Sequence, residues 1–415
     1  MLPPILEIFI VWHPDDASGD ELAKIIFDHF MHGPTFSGVI GGGIQVSLRS
    51  SGWGVDNDAP RPIYSTQTDA PNGLRPAQFV AIVPLIGTEM AAAVEDTNSA
   101  WHRFLTSVQQ VQTQTPETYG IFPYLFSKGA NNKTTLGQIF REYQYIASGN
   151  HDATVESNSS MLCRDLTQGI AQLVSPDEMD RLTAFISHTK HHSVDENDDV
   201  DELIELVRRV IGNTRLNEFF DASDLQPGSD WEAELRARSG TSAMLALRTD
   251  LYSSREWCQR EVAIAKVSGM PLIMVDAIGS GEERGSFLMD HVPRVAVRKI
   301  ENQWQEKDVY RALNLLVDEC LKRALWMRQK ELAQDRPELD VAWWAPHAPE
   351  LLTLFIWIKD YLLSNPMPNE GIRILHPDPP LGPEEREVLI NYARSTELTS
   401  EIDIMTPRQL ATRGG

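Results

Sequence analysis

Cysteine is scarce in this sequence. Its 415 residues hold three, Cys163, Cys258 and Cys320, far apart and in no Cys-x-x-Cys spacing. That excludes a disulfide framework and a cysteine-based zinc site, and it suits a reducing compartment. Long apolar runs are also missing. Apart from the N-terminus the longest, residues 351–358, falls far short of the ~20 residues that span a bilayer. The opening MLPPILEIFIVW has no basic n-region and is interrupted by Glu7, so it does not read as a signal peptide. Positive charge is in deficit, with 37 Lys+Arg against 59 Asp+Glu and a net charge of -22. A surface that negative repels phosphate backbones and argues against nucleic acid as the main partner. A cytoplasmic protein without membrane contact is expected. There is no Gly-x-Ser-x-Gly elbow, Walker motif or zinc-protease helix, so those three chemistries have no footing.

What is present is ordinary for a globular protein: 42% hydrophobic and 23% charged residues, with 26 Gly and 25 Pro. The length calls for two or three cores. Residues 1–178 read as an α/β domain. Strand-like runs lie at 6–12 (LEIFIVW), 44–49 (IQVSLR), 79–86 (FVAIVPLI) and 119–126 (YGIFPYLF), and Leu22, Ile25, Ile26 and Phe30 space a helix over 20–31. The polar stretch 147–160 reads as an exposed connection. Gly41–Gly43 precede a strand but no Gly-Lys-Ser/Thr follows, so they read as a turn.

Residues 179–302 are more regular. Strands are expected at 182–187, 216–220, 242–247, 271–276 and 292–297. Helices are expected at 199–211, 231–238 (with Asp230 as N-cap) and 254–268. This alternation predicts a flavodoxin-like doubly wound parallel sheet. A helical connector over 303–335 follows. The C-terminal region 336–415 is expected to hold helices at 349–363 and 383–395, a strand at 371–376 and an extended end. The strands near 8–12 and 372–376 both run into His-Pro-Asp, at 13–15 and 376–378. That echo suggests related units, and at 13–15 it offers either a structural turn or a sensing pocket.

Chemistry concentrates in 253–262, SSREWCQREV. On a helix Trp257 and Glu261 share a face, while Cys258, Val262 and Ala265 form the neighbouring stripe toward the sheet. A carboxylate one turn from an indole at a sheet's carboxyl end can bind ribose hydroxyls and stabilise a cation developing at the anomeric carbon. The plain alternative is a solvated helix charge beside a core tryptophan. His188, His191 and His192 share one loop but have no cysteine or paired carboxylate at ligand spacing, so no metal is expected.

Residues 182–300 resemble a TIR (Toll/interleukin-1 receptor) domain of the prokaryotic immune, NAD-cleaving type. The resemblance is carried by AFISH (184–188), FFDASDLQPGSDWEAEL (219–235), SAMLALRTDLYSS (242–254), WCQRE (257–261) and PLIMVD (271–276) in register. It implies that Glu261 is the catalytic carboxylate of a Trp-x-x-x-Glu motif and that Trp257 helps form the pocket. Phe185, Ser187 and His188 would line the nucleotide site, and Phe220 and Asp221 would lead into the loop that closes over it. Where some family enzymes carry arginine or lysine after the first strand, this chain reads His188-Thr189-Lys190. The loop 221–230, with its Pro227-Gly228 turn, would also dock a neighbouring copy and gate the pocket.

The implied activity is NAD+ glycohydrolysis in antiphage defence, to nicotinamide and linear or cyclic ADP-ribose. NAD+ would be the substrate, with no other cofactor. The chain would self-associate through its TIR domains, and the flanking domains would meet a trigger or a partner protein. The rival reading is a non-catalytic TIR scaffold that assembles through 221–230.

Overall fold

The computed structural model describes residues 4–32, 36, 44–50, 60–64, 76–127, 130, 134–141, 143, 145–147, 156–175, 182–189, 194–220, 242–282, 284–334, 339–365, 371–396, 398 and 401–413, with the backbone alone at 134, 147, 194–199, 217–220, 334 and 413. The chain is mixed α/β and divides into two units. One comprises Met1–Pro176 with Met327–Gln329, the other Asp177–Trp326 with Lys330–Gly415.

The first unit is a parallel sheet of β1 (Leu6–Trp12), β2 (Ile44–Arg49), β3 (Phe79–Ile86), β4 (Tyr119–Ile121), β5 (Tyr124–Leu125) and β6 (Ile146–Ala147). Its order is β2-β1-β3-β5-β6, with β4 also on β3. Helices α1 (Ala17–Met31), α2 (Thr88–Glu95), α3 (Ala100–Gln114), α4 (Thr134–Ile139) and α5 (Asn158–Val174) complete it. All eight residues of β3 are buried, which is why FVAIVPLI reads as an unbroken apolar run: a central parallel strand is covered on both faces. Edge strand β2 is only partly buried. Proline is tolerated in β3 because the β4–β5 interruption falls beside it, Ile82 pairing with Ile121 and Leu85 with Tyr124.

The stretch expected to be an exposed connection, 147–160, is corrected in its second half. Glu156 is buried against Arg164 at 2.5 Å, and α5 begins at Asn158. A buried ion pair needs its partner, so the polar segment is drawn inward by the arginine of the helix that follows. Ala147 ends β6, and Gly41–Gly43 and residues 148–155 lie outside the described residues.

The second unit carries a five-stranded parallel sheet of β7 (Thr183–Ser187), β8 (Asn217–Phe220), β9 (Ser242–Arg248), β10 (Leu272–Asp276) and β11 (Arg294–Ala296). The order is β11-β10-β9-β7-β8. Numbered within each unit, and counting β4 and β5 as one broken strand, both sheets run second-first-third-fourth-fifth. α6 (Val194–Gly212) and α7 (Glu256–Ser268) are described here, followed by a hairpin of β12 (Lys299–Ile300) and β13 (Gln303–Trp304) and by α8 (Glu306–Gln334). The expected loop 221–230 and helix 231–238 lie outside the described residues. Helix α7 ends at Gly269, whose φ of 68° is the left-handed cap that glycine adopts without strain. A Cβ there would also meet Pro346 Cβ at 2.5 Å.

A third, smaller sheet within this unit pairs β14 (Trp343–Trp344), β15 (Gly371–Leu375) and β16 (Glu401–Met405), all parallel, with α9 (Leu351–Ser364), α10 (Pro383–Arg394) and α11 (Pro407–Arg413) around it. The expected extended end is therefore a strand and a short helix. Ile402 and Ile404 alternate with acidic residues and bury one face of β16 in the core of this sheet.

Candidate active site

Helix α7 packs Cys258, Val262 and Ala265 into the core with Phe185, Met244 and Ala246 of the sheet. Glu261 lies on the same helix and is only 2% exposed. Its partner comes from the carboxyl end of β7: Ser187 donates its hydroxyl hydrogen to Glu261 Oε2. With that hydrogen committed, Ser187 Oγ accepts from the Tyr252 hydroxyl at 2.6 Å. Burial, then the neighbouring Cys258 and Glu261, push the Tyr252 phenol well above its ordinary range, so it keeps the proton it donates. Tyr252, Ser187 and Glu261 thus form a buried chain of donors ending on a carboxylate. Double-sided satisfaction of this kind fixes a side chain's orientation.

The remaining expected residues are distributed around that chain. Trp257 sits one turn before Glu261 on α7 at 37% exposure. Phe185 is in the core. His188 is half-buried, its Nδ1–H directed at the Thr189 carbonyl at 3.0 Å, and its own carbonyl accepts from Cys258 Sγ at 3.6 Å. Phe220 ends β8 with its backbone opposite Phe185. Asp221, Lys190, His191 and His192 lie outside the described residues. Ser187, Glu261 and Tyr252 are thus brought together, and Phe185, on the same face of β7 as Ser187, packs in one core cluster with Tyr252.

Beyond the carboxyl ends of β9, β10 and β11 lies a cavity of about 930 Å3, lined in part by Thr249, Asp250, Arg298, Lys299 and Trp304. Its size suits a small-molecule site. Lys299 Nζ sits 4.9 Å from the centroid of the Trp304 ring, and the Asp250 carboxylate accepts from the Gly279 and Ser280 N–H groups at 2.8 Å each. Glu261 does not line this cavity. The link is Thr249, at its edge, whose hydroxyl is 3.5 Å from that of Thr189, two residues past Ser187. Beneath it, Arg248 pairs with Glu282 through two hydrogen bonds, and Ser253 donates to the same carboxylate. Hydrogen bonding to Glu282 raises the Arg248 pKa further. Burial works against ionisation of Glu282, but the bonds from Arg248 and Ser253 outweigh it and hold that carboxyl below its usual range.

Sequence reasoning missed Tyr252, Arg298, Lys299 and Trp304. Tyr252 stood inside the quoted 242–254 stretch, but its bond to a serine 65 positions away has no local signature. Among the described residues no group of three or more His, Cys, Asp or Glu could hold a metal ion, and no helix is long and apolar enough to cross a membrane.

No family model matches the chain, and no curated protein matches it. Among solved structures it is similar to the crystal structure of tagatose-6-phosphate ketose/aldose isomerase from Escherichia coli, at 10% identity over 78% of this chain and 83% of that chain. The TM-score of 0.20 is too low for that likeness to carry any argument.

Proposed function

We propose that residues 179–302 are a flavodoxin-like TIR domain and that the chain is a NAD+ glycohydrolase with Glu261 as its catalytic carboxylate. The observation that carries this reading is the Tyr252–Ser187–Glu261 chain at the carboxyl end of the sheet, where open α/β sheets bind ligands. The strand order second-first-third-fourth-fifth is the flavodoxin-like one, which supports the same reading. A carboxylate in so dry a setting stabilises a nearby positive charge far more than it would in water.

In the proposed reaction NAD+ lies across the carboxyl ends of the strands, with Trp304 and the cations Arg298 and Lys299 available to its other half. Ser187 and Tyr252 hold Glu261 in one orientation. The carboxylate stabilises the oxocarbenium-like ribose as the bond to nicotinamide breaks, and water or the substrate's own adenine attacks the anomeric carbon. Antiphage defence, activation by a trigger, and self-association through the loop 221–230 belong to the same proposal.

The near-complete burial of Glu261 favours one other reading, a TIR scaffold in which this carboxylate only braces the fold. NAD+ consumption by the full chain separates them, measured at high protein concentration with and without a crowding agent beside Glu261→Ala and Glu261→Gln. Cleavage by the wild type alone supports the enzyme. Equal cleavage in Glu261→Ala, or assembly without cleavage in any condition by folded protein, overturns it in favour of the scaffold.

A further inference from the structure

A second cavity, of about 310 Å3, lies at the other end of the five-stranded sheet, within the same unit. One wall is the last turn of α7 and the segments that lead into β10 and β11. The facing wall is made by the chain leaving β14 and β15, at the carboxyl end of the three-stranded sheet. That is the edge at which parallel α/β sheets receive ligands. The second His-Pro-Asp of the sequence ends here, with Pro377 and Asp378 in the lining.

The walls are stiff and apolar. Pro271, Pro293, Pro346, Pro377, Pro379 and Pro380 all contribute to them, and a pyrrolidine ring has neither a free φ nor side-chain rotamers to lose on binding. Preformed apolar walls with a few convergent polar groups are the usual form of a small-molecule site.

The polar groups have one sign of hydrogen-bonding capacity to spare. Glu350 is 7% exposed, and its Oε2 lies 3.5 Å from Lys266 Nζ. Its Oε1 is buried with no hydrogen-bond partner, and so is Oδ1 of Asp378. The neighbouring cations are turned to protein oxygens: Lys266 Nζ donates to the Asp290 carbonyl at 2.7 Å, Lys322 to Glu319 at 2.8 Å and Arg323 Nη2 to the Ser268 carbonyl at 3.4 Å. His347 adds a third acceptor. Its Nε2 faces the Lys266 carbonyl at 2.9 Å and so must carry the hydrogen, which leaves Nδ1 a lone pair. Burial holds this imidazole neutral. A buried acceptor without a partner costs on the order of 1–3 kcal/mol, and two on one cavity are explained by a ligand that brings donors.

We propose that this cavity is a binding site for a small, flat heteroaromatic amine or amide, its ring between the proline walls and its N–H groups donating to Glu350 Oε1 and Asp378 Oδ1. Carboxylates and phosphates are disfavoured, because the unpartnered groups are carboxylate oxygens and the lysines and Arg323 of the lining are turned to protein oxygens. The inference does not depend on Glu261 or on NAD+ cleavage.

The test uses the full chain and 2-aminobenzimidazole, a flat ring with adjacent N–H donors, followed by titration calorimetry and saturation-transfer NMR. Saturable binding at millimolar concentration or below is expected. Asp378→Asn should weaken it at least tenfold, Glu350→Gln should do the same, and Ala348→Trp, which fills the cavity, should abolish it. Glu261→Ala should leave it unchanged, and benzimidazole-2-carboxylate should not compete. Absence of saturable binding to folded wild type means that water alone occupies the cavity and overturns the proposal. So does binding that survives Asp378→Asn and Ala348→Trp in variants that melt like the wild type, or competition by the carboxylate.

Discussion

Acidification should destabilise the second unit through two histidines. Burial lowers the pKa of His347 and of His376 from 6.5 to about 4, against the opposing pull of a hydrogen bond from each ring to a carbonyl, of Lys266 and Pro377 respectively. In the unfolded chain both return to the ordinary value. Between those pH limits the unfolded state therefore binds more protons, and stability falls as the pH falls through this window. At pH 5 an unfolded histidine is almost fully protonated and the folded one almost neutral, so the step from pH 7 to pH 5 removes ~2 kcal/mol per histidine, or ~4 kcal/mol for the pair. Carboxylates and the general negative charge also respond to acid, so the informative quantity is a difference. Urea unfolding at pH 7 and pH 5, followed by circular dichroism, should give wild type a steeper loss than His347→Gln/His376→Asn, by ~4 kcal/mol over the interval. Equal slopes in the two proteins would falsify the argument. So would histidine resonances of the folded chain that titrate near 6.5.

Three further outcomes are expected. Tyr252→Phe removes the donor behind Ser187 and should cost ~1 kcal/mol in a thermal melt; under the proposed activity it should lower kcat for NAD+ with little change in KM, and an unchanged kcat would remove Tyr252 from the positioning chain. Gly269→Ala forces a side chain into a left-handed conformation at ~1–2 kcal/mol and against Pro346, which at ~2–4 °C per kcal/mol should lower Tm by at least ~2 °C; an unaltered melt would count against both causes. Asp16→Ala strips α2 of the carboxylate that accepts from the Glu89 and Met90 N–H groups, a loss of ~1–2 kcal/mol visible as faster amide exchange at those two positions, and unchanged exchange there would refute the capping role.

Legibility in the sequence followed burial. The central strands expected at 79–86 and 242–247 could be read because both faces are covered and the residues from Phe79 to Ile86 and from Ala243 to Leu247 are all apolar. Helix α7 could be read because its core stripe has a clean helical period. Helix α5 could not, because Arg164, Thr167 and Gln168 are buried among its apolar residues and blur that period; the pairs with Glu156 and Asp165 make the arginine acceptable there. At the site, the Trp257–Glu261 spacing was local and therefore visible. What holds Glu261 was not, since Ser187 reaches it from the end of a strand 74 positions away and is itself the hydrogen-bonded link from Tyr252, in the turn before α7, to that carboxylate. The same holds for the proline-walled cavity: Lys266, Glu350 and Asp378 become neighbours only when the small sheet meets the base of the larger one.

The first unit repeats the strand order of the second but treats its ligand edge differently. Asp16, just past the first strand, inserts both carboxylate oxygens into the N-terminus of α2, against two backbone N–H groups. Gly87 is what admits it, since a Cβ there would come within 2.2 Å of Asp16 Oδ1. The positive end of that helix, which in related architectures receives a phosphate, is thus occupied by an anion the chain carries itself. The first unit wears a tethered imitation of a ligand, and a free anion would have to displace a covalently attached competitor whose effective concentration never falls.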